Sequence, residues 1–435
     1  MKRLFFLVLP GVVLAQSYLQ IIDGIENATA LKSAHRLEMA AKAAAEAAEG
    51  KNLPSLAASF GAVWLKDTPT VTFRIPGTPP MEAPMGTRRN FTGSLRLVYP
   101  LFTGYALTAT IDKAAWERKR SALLALDLKR NLYLQATELA SACYASDATL
   151  KAALEAKKAM DDAYEKAKGL YDNGLLPPSD LYNIEARRYA VEAEITEARS
   201  QKRQILNQLA YLLNEPVDSV ELPLHLGSKP IDIEELIQTA LESREDIEAL
   251  QSALMIDRTE IRLARSRLYP SVDLAAELKR RGDTPALDGD GYSNPDQSYV
   301  GASIRWNLFD GFSDTKTVEA ARYRHLATAE RLKDYRARIR MELKNAFSRL
   351  LALRSRLKSA TMELRAQEAY CRLTQGRFEN QLAGADELSR SIADLSSARA
   401  KVSVLESRIF AQKATLWLMA GIETFKKGFL SRTAP

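Results

Sequence analysis

The amino-acid sequence predicts a mainly α-helical fold with a small β-strand portion of the kind that builds a membrane barrel, assembled from two copies of one plan. Two stretches of 64 residues, 105–168 and 312–375, contain neither Gly nor Pro. Four shorter segments alternate apolar and polar residues with period two. A set of motifs also returns at a constant spacing of 207 positions.

At the start, Lys2 and Arg3 precede an apolar run from Leu4 to Leu14, and Val13 and Ala15 suit a signal peptidase. This is the pattern of a secretory signal, and residues 1–15 are expected to be removed. Gln16 then follows the cut, so no cysteine stands there to carry lipid. Region 17–49 reads as helix, and helical runs without Gly or Pro recur at 179–215, 231–269 and 385–420. Each 64-residue run would extend about 96 Å as one helix, far beyond the three or four turns usual in globular proteins. Ala, Leu, Glu, Lys and Arg dominate the runs, as in 151–168 and 327–344, with apolar residues at helical spacing, so the helices should pack as coiled-coil-like hairpins.

The alternating segments lie between helices. In 91–99, Phe91, Gly93, Leu95, Leu97 and Tyr99 alternate with Thr92, Ser94, Arg96 and Val98. In 299–308, Val300, Ala302, Ile304, Trp306 and Leu308 alternate with Tyr299, Gly301, Ser303, Arg305 and Asn307. Segments 55–65 and 271–279 do so less cleanly, with Asp273, Glu277 and Lys279 facing away from Val272, Leu274 and Leu278. Nine to eleven alternating residues suit a tilted strand crossing a bilayer. Each pair should form a hairpin, with a long polar loop at 67–90 and another at 282–297. A two-sided sheet in a soluble domain would also alternate; its insertion between a short and a very long helix at the same place in both halves argues against it.

Leu101-Phe102-Thr103-Gly104 returns as Leu308-Phe309-Asp310-Gly311, and Tyr171-Asp172-Asn173-Gly174-Leu175 returns as Phe378-Glu379-Asn380-Gln381-Leu382, both 207 positions on. The chain therefore divides into a first repeat over 16–216, a linking equatorial segment at 217–230, a second repeat over 231–424 and a tail at 425–435.

Composition excludes several classes. The chain is 46% hydrophobic and 26% charged, too polar for a bundle of spanning helices. Its net charge of +7 is spread among nearly as many acids, which describes solvated helix faces and not a nucleic-acid site. No GxSxG, HExxH, CxxC, phosphate loop or dinucleotide fingerprint occurs, so no enzyme and no cofactor are expected. His35, His225 and His325 stand apart, and no metal site is expected. Cys143 and Cys371 should stay unpaired, because the repeat offset separates them by roughly 30 Å of helix height.

Together these motifs make the chain resemble the TolC family of outer-membrane efflux proteins over nearly its whole length after the signal. The residues that carry the resemblance are Leu-Pro-Ser at 53–55 and Tyr-Pro-Ser at 269–271, Pro-Leu-Phe-Thr-Gly at 100–104 and Asn-Leu-Phe-Asp-Gly at 307–311, and the duplicated turns at 170–181 and 377–388. The resemblance implies a homotrimer with a 12-stranded outer-membrane barrel continuous with an α-helical tunnel in the periplasm. It implies docking to an inner-membrane transporter through a periplasmic adaptor, in efflux or type I secretion. Physics asks for the oligomer independently: an open strand edge cannot face hydrocarbon, four strands close no barrel, and twelve leave a lumen. A periplasmic coiled-coil adaptor of an exporter is the alternative, since it too has long helical hairpins.

Thr92, Ser94, Arg96, Ser303, Arg305 and Asn307 are the candidate lumen residues. Trp64, Tyr99 and Trp306, on the other face, read equally as an aromatic girdle or as packing at the strand-to-helix junction. Asn173, Gly174, Leu175, Leu176, Gln381 and Leu382 are the candidate docking tip, with Ser179 or Asp180 expected to cap the following helix. For the gate, the resemblance places an acid at Asp180 and at Glu387, but Arg390 stands where the family has a second ring acid. Phe378 and Ala383 replace the linking tyrosine and arginine. With Glu387 and Arg390 both turned inward, three chains would form a nearly neutral constriction; Arg390 pointing outward is the open alternative.

Overall fold

The computed structural model describes residues 16–224, 231–289 and 295–432; the expected signal at 1–15 and His225 lie outside them. In chain order the elements are β1 (Gln16–Ser17), α1 (Tyr18–Gly24), α2 (Thr29–Gly50), β2 (Ser55–Trp64), β3 (Thr70–Phe73), β4 (Met81–Pro84), β5 (Arg89–Phe102), α3 (Ala106–Asp172) and α4 (Pro178–Leu213). The second half contributes β6 (Val220–Glu221), α5 (Ile233–Ser243), α6 (Glu245–Ser266), β7 (Ser271–Gly282), β8 (Tyr299–Arg305), α7 (Ser313–Glu379), α8 (Ala385–Met419) and α9 (Ile422–Gly428). The two long helices are each 67 residues and run past the ends of the Gly- and Pro-free stretches, through Gly169 and Gly376.

Three expected boundaries move. The helical region 17–49 is broken at Ile25–Asn27, a single 3-10 turn between α1 and α2. The run 231–269 is broken at Arg244, whose φ −76° and ψ 131° are extended, so it forms α5 and α6. The expected tail from 425 begins inside α9, and Phe425 and Phe429 are buried. An apolar, aromatic C-terminal turn has more to gain from the core than from water.

The chain forms two compact units. One comprises Glu38–Ser121 and Leu250–Arg331. Its main sheet has the order β2-β5-β7-β8, antiparallel throughout, so the two expected hairpins lie side by side with β5 and β7 central. A small hairpin of β3 and β4 forms within 67–90, which the Pro-rich composition had marked only as loop. Both strand-to-helix passages carry two consecutive left-handed residues: Gly104 and Tyr105 at φ 61° and 70°, and Gly311 and Phe312 at φ 67° and 68°. Glycine adopts this region freely, whereas for Tyr105 and Phe312 it is strained. The repeat thus preserves an unfavourable backbone shape as well as the motif.

The other unit comprises Met1–Leu37, Ala122–Ala249 and Leu332–Pro435. Around one of its cores, Tyr18 meets the Phe410 ring edge-on at 4.9 Å and shares a 2.7 Å hydrogen bond with the Thr137 hydroxyl. Burial drives the Tyr18 phenol far above its ordinary pKa. In the second core, Ala156, Met160, Ala163 and Ala167 of α3 pack with Ile184 and Val191 of α4 and with Phe378, Leu388 and Ile392 of the second repeat. Small residues at helical spacing let the helices approach closely, which is the coiled-coil packing the composition predicts. Cys143 belongs to the first core and Cys371 to the second, and neither is paired.

A buried ionic network joins the break at Arg244 to the C-terminal helices. Arg130, 3% exposed, donates to Asp246 at 2.9 Å and pairs with Asp127. Tyr335 donates to the same Asp246 oxygen at 2.7 Å, and Arg244 reaches it at 2.9 Å. Arg244 also donates to the Met419 carbonyl at 3.2 Å, while Glu245 accepts the Ile422 amide at 2.7 Å. These two bonds satisfy the last turn of α8 and the first of α9, where helix backbone groups would otherwise be orphaned.

Candidate functional site

The duplicated turns fold as the same motif twice. At the end of α3 the Leu175 amide donates to the Leu170 carbonyl at 2.8 Å and the Gly174 amide to Tyr171 at 2.9 Å. At the end of α7 the Leu382 amide donates to Arg377 at 2.8 Å and the Gln381 amide to Phe378 at 3.0 Å. Both are Schellman turns, which need one left-handed residue. That residue is Gly174 at φ 71° in the first and Gln381 at φ 62° in the second. Asn173 donates to the Gly169 carbonyl and Asn380 to the Gly376 carbonyl, each at 2.7 Å.

Both turns line one shallow groove of about 390 Å³, bordered by Leu170, Leu175, Leu176, Pro177, Asp180 and Phe378, with Gln381, Leu382, Ala383 and Gly384 opposite. Leu175 is 55% and Leu382 69% exposed. Leu176 differs from expectation: it packs against the second core, because the turn bends its side chain inward. Ser179 and Asp180 do not cap α4. Pro177 occupies the cap position with no side-chain bond, and its carbonyl accepts the Asp180 amide at 3.1 Å.

The expected gate residues are distributed differently from one another. Phe378 is 2% exposed within the second core, so its ring has no face free for a lumen. Glu387 accepts from Arg377 at 2.9 Å and from the Tyr370 hydroxyl at 3.3 Å. Arg377 also donates to the Leu382 carbonyl at 3.0 Å, tying the turn to the helix that follows it. Arg390 pairs with Asp386 at 2.7 Å, and Asp386 lies 3.8 Å from Arg187 of α4. Within one chain, therefore, Glu387 and Arg390 do not pair with each other. Tyr370 and Arg377, absent from the sequence expectation, supply a tyrosine and an arginine at new positions; their spacing of 17 and 10 residues from Glu387 across the turn was the available signal.

In the sheet, cross-strand register sorts the side chains onto two faces. Residues directly opposite share a face, and the pairs Arg96–Glu277, Ser94–Lys279, Thr92–Arg281 and Asp273–Ser303 lie on one. Leu95–Leu278, Leu97–Ala276 and Leu274–Ala302 lie on the other. Thr92, Ser94, Arg96, Ser303 and Arg305 thus share the polar face. Asn307 is a correction: β8 ends at Arg305, where Trp306 turns its indole N–H to the Leu268 carbonyl at 3.2 Å. Phe60, Trp64 and Phe91 form an aromatic group on the apolar face, with Trp64 edge-on to Phe91 and Phe60 tilted against it.

Among the described residues no helix is long and apolar enough to cross a membrane, and no acidic, histidine or cysteine group could hold a metal ion. A polar and an apolar sheet face, joined to helical hairpins that end in matched turns, define a class: outer-membrane channels whose barrels carry helical extensions. The outer membrane efflux protein profile matches residues 23–215 and 236–421, and the chain belongs to that family. It is a passive outer-membrane exit duct with its helical mass in the periplasm, and not an enzyme.

Solved structures agree on the fold. CusC, studied for conformational changes accompanying folding and transmembrane channel formation, is 14% identical with a TM-score of 0.78, covering 94% of this chain and 93% of its own. The outer membrane protein VceC of Vibrio cholerae is 18% identical with a TM-score of 0.76, covering 93% and 96%. The open state of the MtrE outer membrane channel of Neisseria gonorrhoeae is 18% identical with a TM-score of 0.68, covering 93% and 89%. No curated protein sequence gives a significant match.

Proposed function

We propose that three copies of the chain close a twelve-stranded barrel, and that the duct opens at the paired turns, where a periplasmic adaptor couples it to an inner-membrane transporter. The observation that carries the trimer is the four-stranded sheet with two unpaired edges, β2 and β8. Hydrocarbon offers these edges no hydrogen bonds, so they must pair with other copies. Leu351, Met362 and Leu373 of α7, spaced eleven apart and each about half exposed or more, supply an apolar seam along the same helix face for a neighbouring copy.

The docking reading rests on Leu175 and Leu382, exposed on either side of a groove that both repeats build. The gate reading keeps Asp180, Glu387 and Arg390 as the charges at the constriction, with Arg377 and Tyr370 holding Glu387 in place. The test is a pair of substitutions, Leu175→Asp and Leu382→Asp, scored for heat-resistant trimers in the outer-membrane fraction and for export. Intact trimers with export lost by tenfold or more support docking there; intact trimers with full export remove it.

A further inference from the structure

The polar face of the sheet has an uneven charge distribution along its height. Near the strand ends that lead into helices, Asp273 and Arg305 stand on neighbouring rungs, opposite Ser303 and Ser271 respectively. Higher, Arg96 faces Glu277 directly. These two levels are close to neutral. One rung further out, Lys279 faces Ser94, and beyond Ser94 stands Ser59, whose hydroxyl is 2.9 Å from the Ser94 hydroxyl. No carboxylate shares that rung of the sheet. The next rung outward adds Arg281 opposite Thr92 and Gly61. Arg280 stands on the other face, opposite Gly93, and Asp296 pairs with it through the backbone, so within the sheet Lys279 and Arg281 leave the outer part of the polar face with a positive excess.

We propose that Lys279 makes the outer mouth of the barrel anion-selective, so that the duct discharges small anions and negatively charged solutes in preference to cations. This rests on the trimeric reading above, since closure by three chains turns one Lys279 into a ring of three. A barrel of twelve strands tilted by about 40° has a radius of about 12 Å. Lysine side chains reaching into it leave an opening within about one Debye length, ~8 Å at physiological ionic strength, of the nearest ammonium. The ring therefore acts on every ion that passes, while the neutral Arg96–Glu277 level beneath it does not oppose the selection.

The experiment is the reversal potential of single channels of the full chain in planar bilayers under a potassium chloride gradient. The wild type should pass chloride over potassium by about threefold or more at 0.1 M salt, with the ratio falling toward one at 1 M, where the Debye length shrinks to about 3 Å. Lys279→Glu should invert the preference. Ser94→Asp, which leaves the lysine in place and neutralises its rung, should bring the ratio near one, so the expectation does not hang on one variant's folding. Heat-resistant trimers identify the properly assembled variants. A wild type that prefers potassium, or a ratio indifferent to both substitutions, overturns the inference and leaves the channel standing. Absence of conductance from wild-type trimers overturns the channel reading and the inference together.

Discussion

The two turns at the ends of α3 and α7 have one backbone and two chemistries. Their hydrogen bonds match atom for atom, down to the asparagine that clamps the carbonyl four residues back. In the first, a glycine fills the left-handed position; in the second, Gln381 bears that strain. The second turn has a compensation the first lacks: Arg377 holds both the Leu382 carbonyl and Glu387. The first repeat places its corresponding charge hub deeper along the hairpin, where Asp161 accepts from Arg188 at 2.6 Å and from Lys157 at 3.1 Å. Duplication thus kept the turn's shape, while the means of holding it diverged, and the second turn is pinned at its apex by a side chain that can be released.

The comparison can be broken most forcefully at Gly174. A β-branched residue there meets the left-handed penalty in full, and Gly174→Val should weaken the first turn by about 2 kcal/mol, read as faster hydrogen exchange of the Leu175 amide with the Leu382 amide unchanged. Arg377→Ala should act on the other turn alone. The side chain is 43% exposed, so the loss is modest, about 1 kcal/mol, and exchange should rise at Leu382 and not at Leu175. Gln381→Gly sharpens the comparison in the opposite sense: relief of strain should slow exchange at Leu382 by a factor worth about 0.5 to 1 kcal/mol.

The smallest effect concerns the link between the turns, Lys166 to Glu379. The lysine's hydrogen bond and charge hold the Glu379 carboxyl below the ordinary carboxylate range. A depressed folded-state pKa means the link is present above the usual value of about 4 and is lost only as pH falls through the lower folded value. A carboxyl resonance of Glu379 that titrates at the ordinary position, or that ignores Lys166→Met, would show that the pair does not form in solution.

Much of this was legible in the sequence because the relevant signals are periodic. Runs of 64 residues without Gly or Pro announced α3 and α7, and alternation announced β2, β5, β7 and β8. The break at Arg244 was not read from the sequence, because no Gly or Pro marks it: the helix stops where a buried network needs the arginine and the two acids beside it. The partners of Glu387 were hidden for a related reason. Matching motif to motif locates Glu387, yet its partners come from Tyr370 and Arg377 across the turn, and only the folded hairpin brings them within reach. Asn307 failed differently, since alternation continues in sequence past the point where Trp306 leaves the sheet.

The network around Arg130 also orders events in time. A chain is made from its N-terminus, so Arg244 and Glu245 exist long before the Met419 carbonyl and Ile422 amide, which lie 175 and 177 positions further on. Until those groups arrive, closing the unit would leave Arg244 and Glu245 each short of one backbone hydrogen-bond partner, at a cost of about 1 to 3 kcal/mol apiece. A chain stopped before Met419 should therefore remain open to periplasmic proteases, while the chain that carries α9 resists them. In that sense the last helix works as a proof of completeness, read by charges laid down in the middle of the molecule.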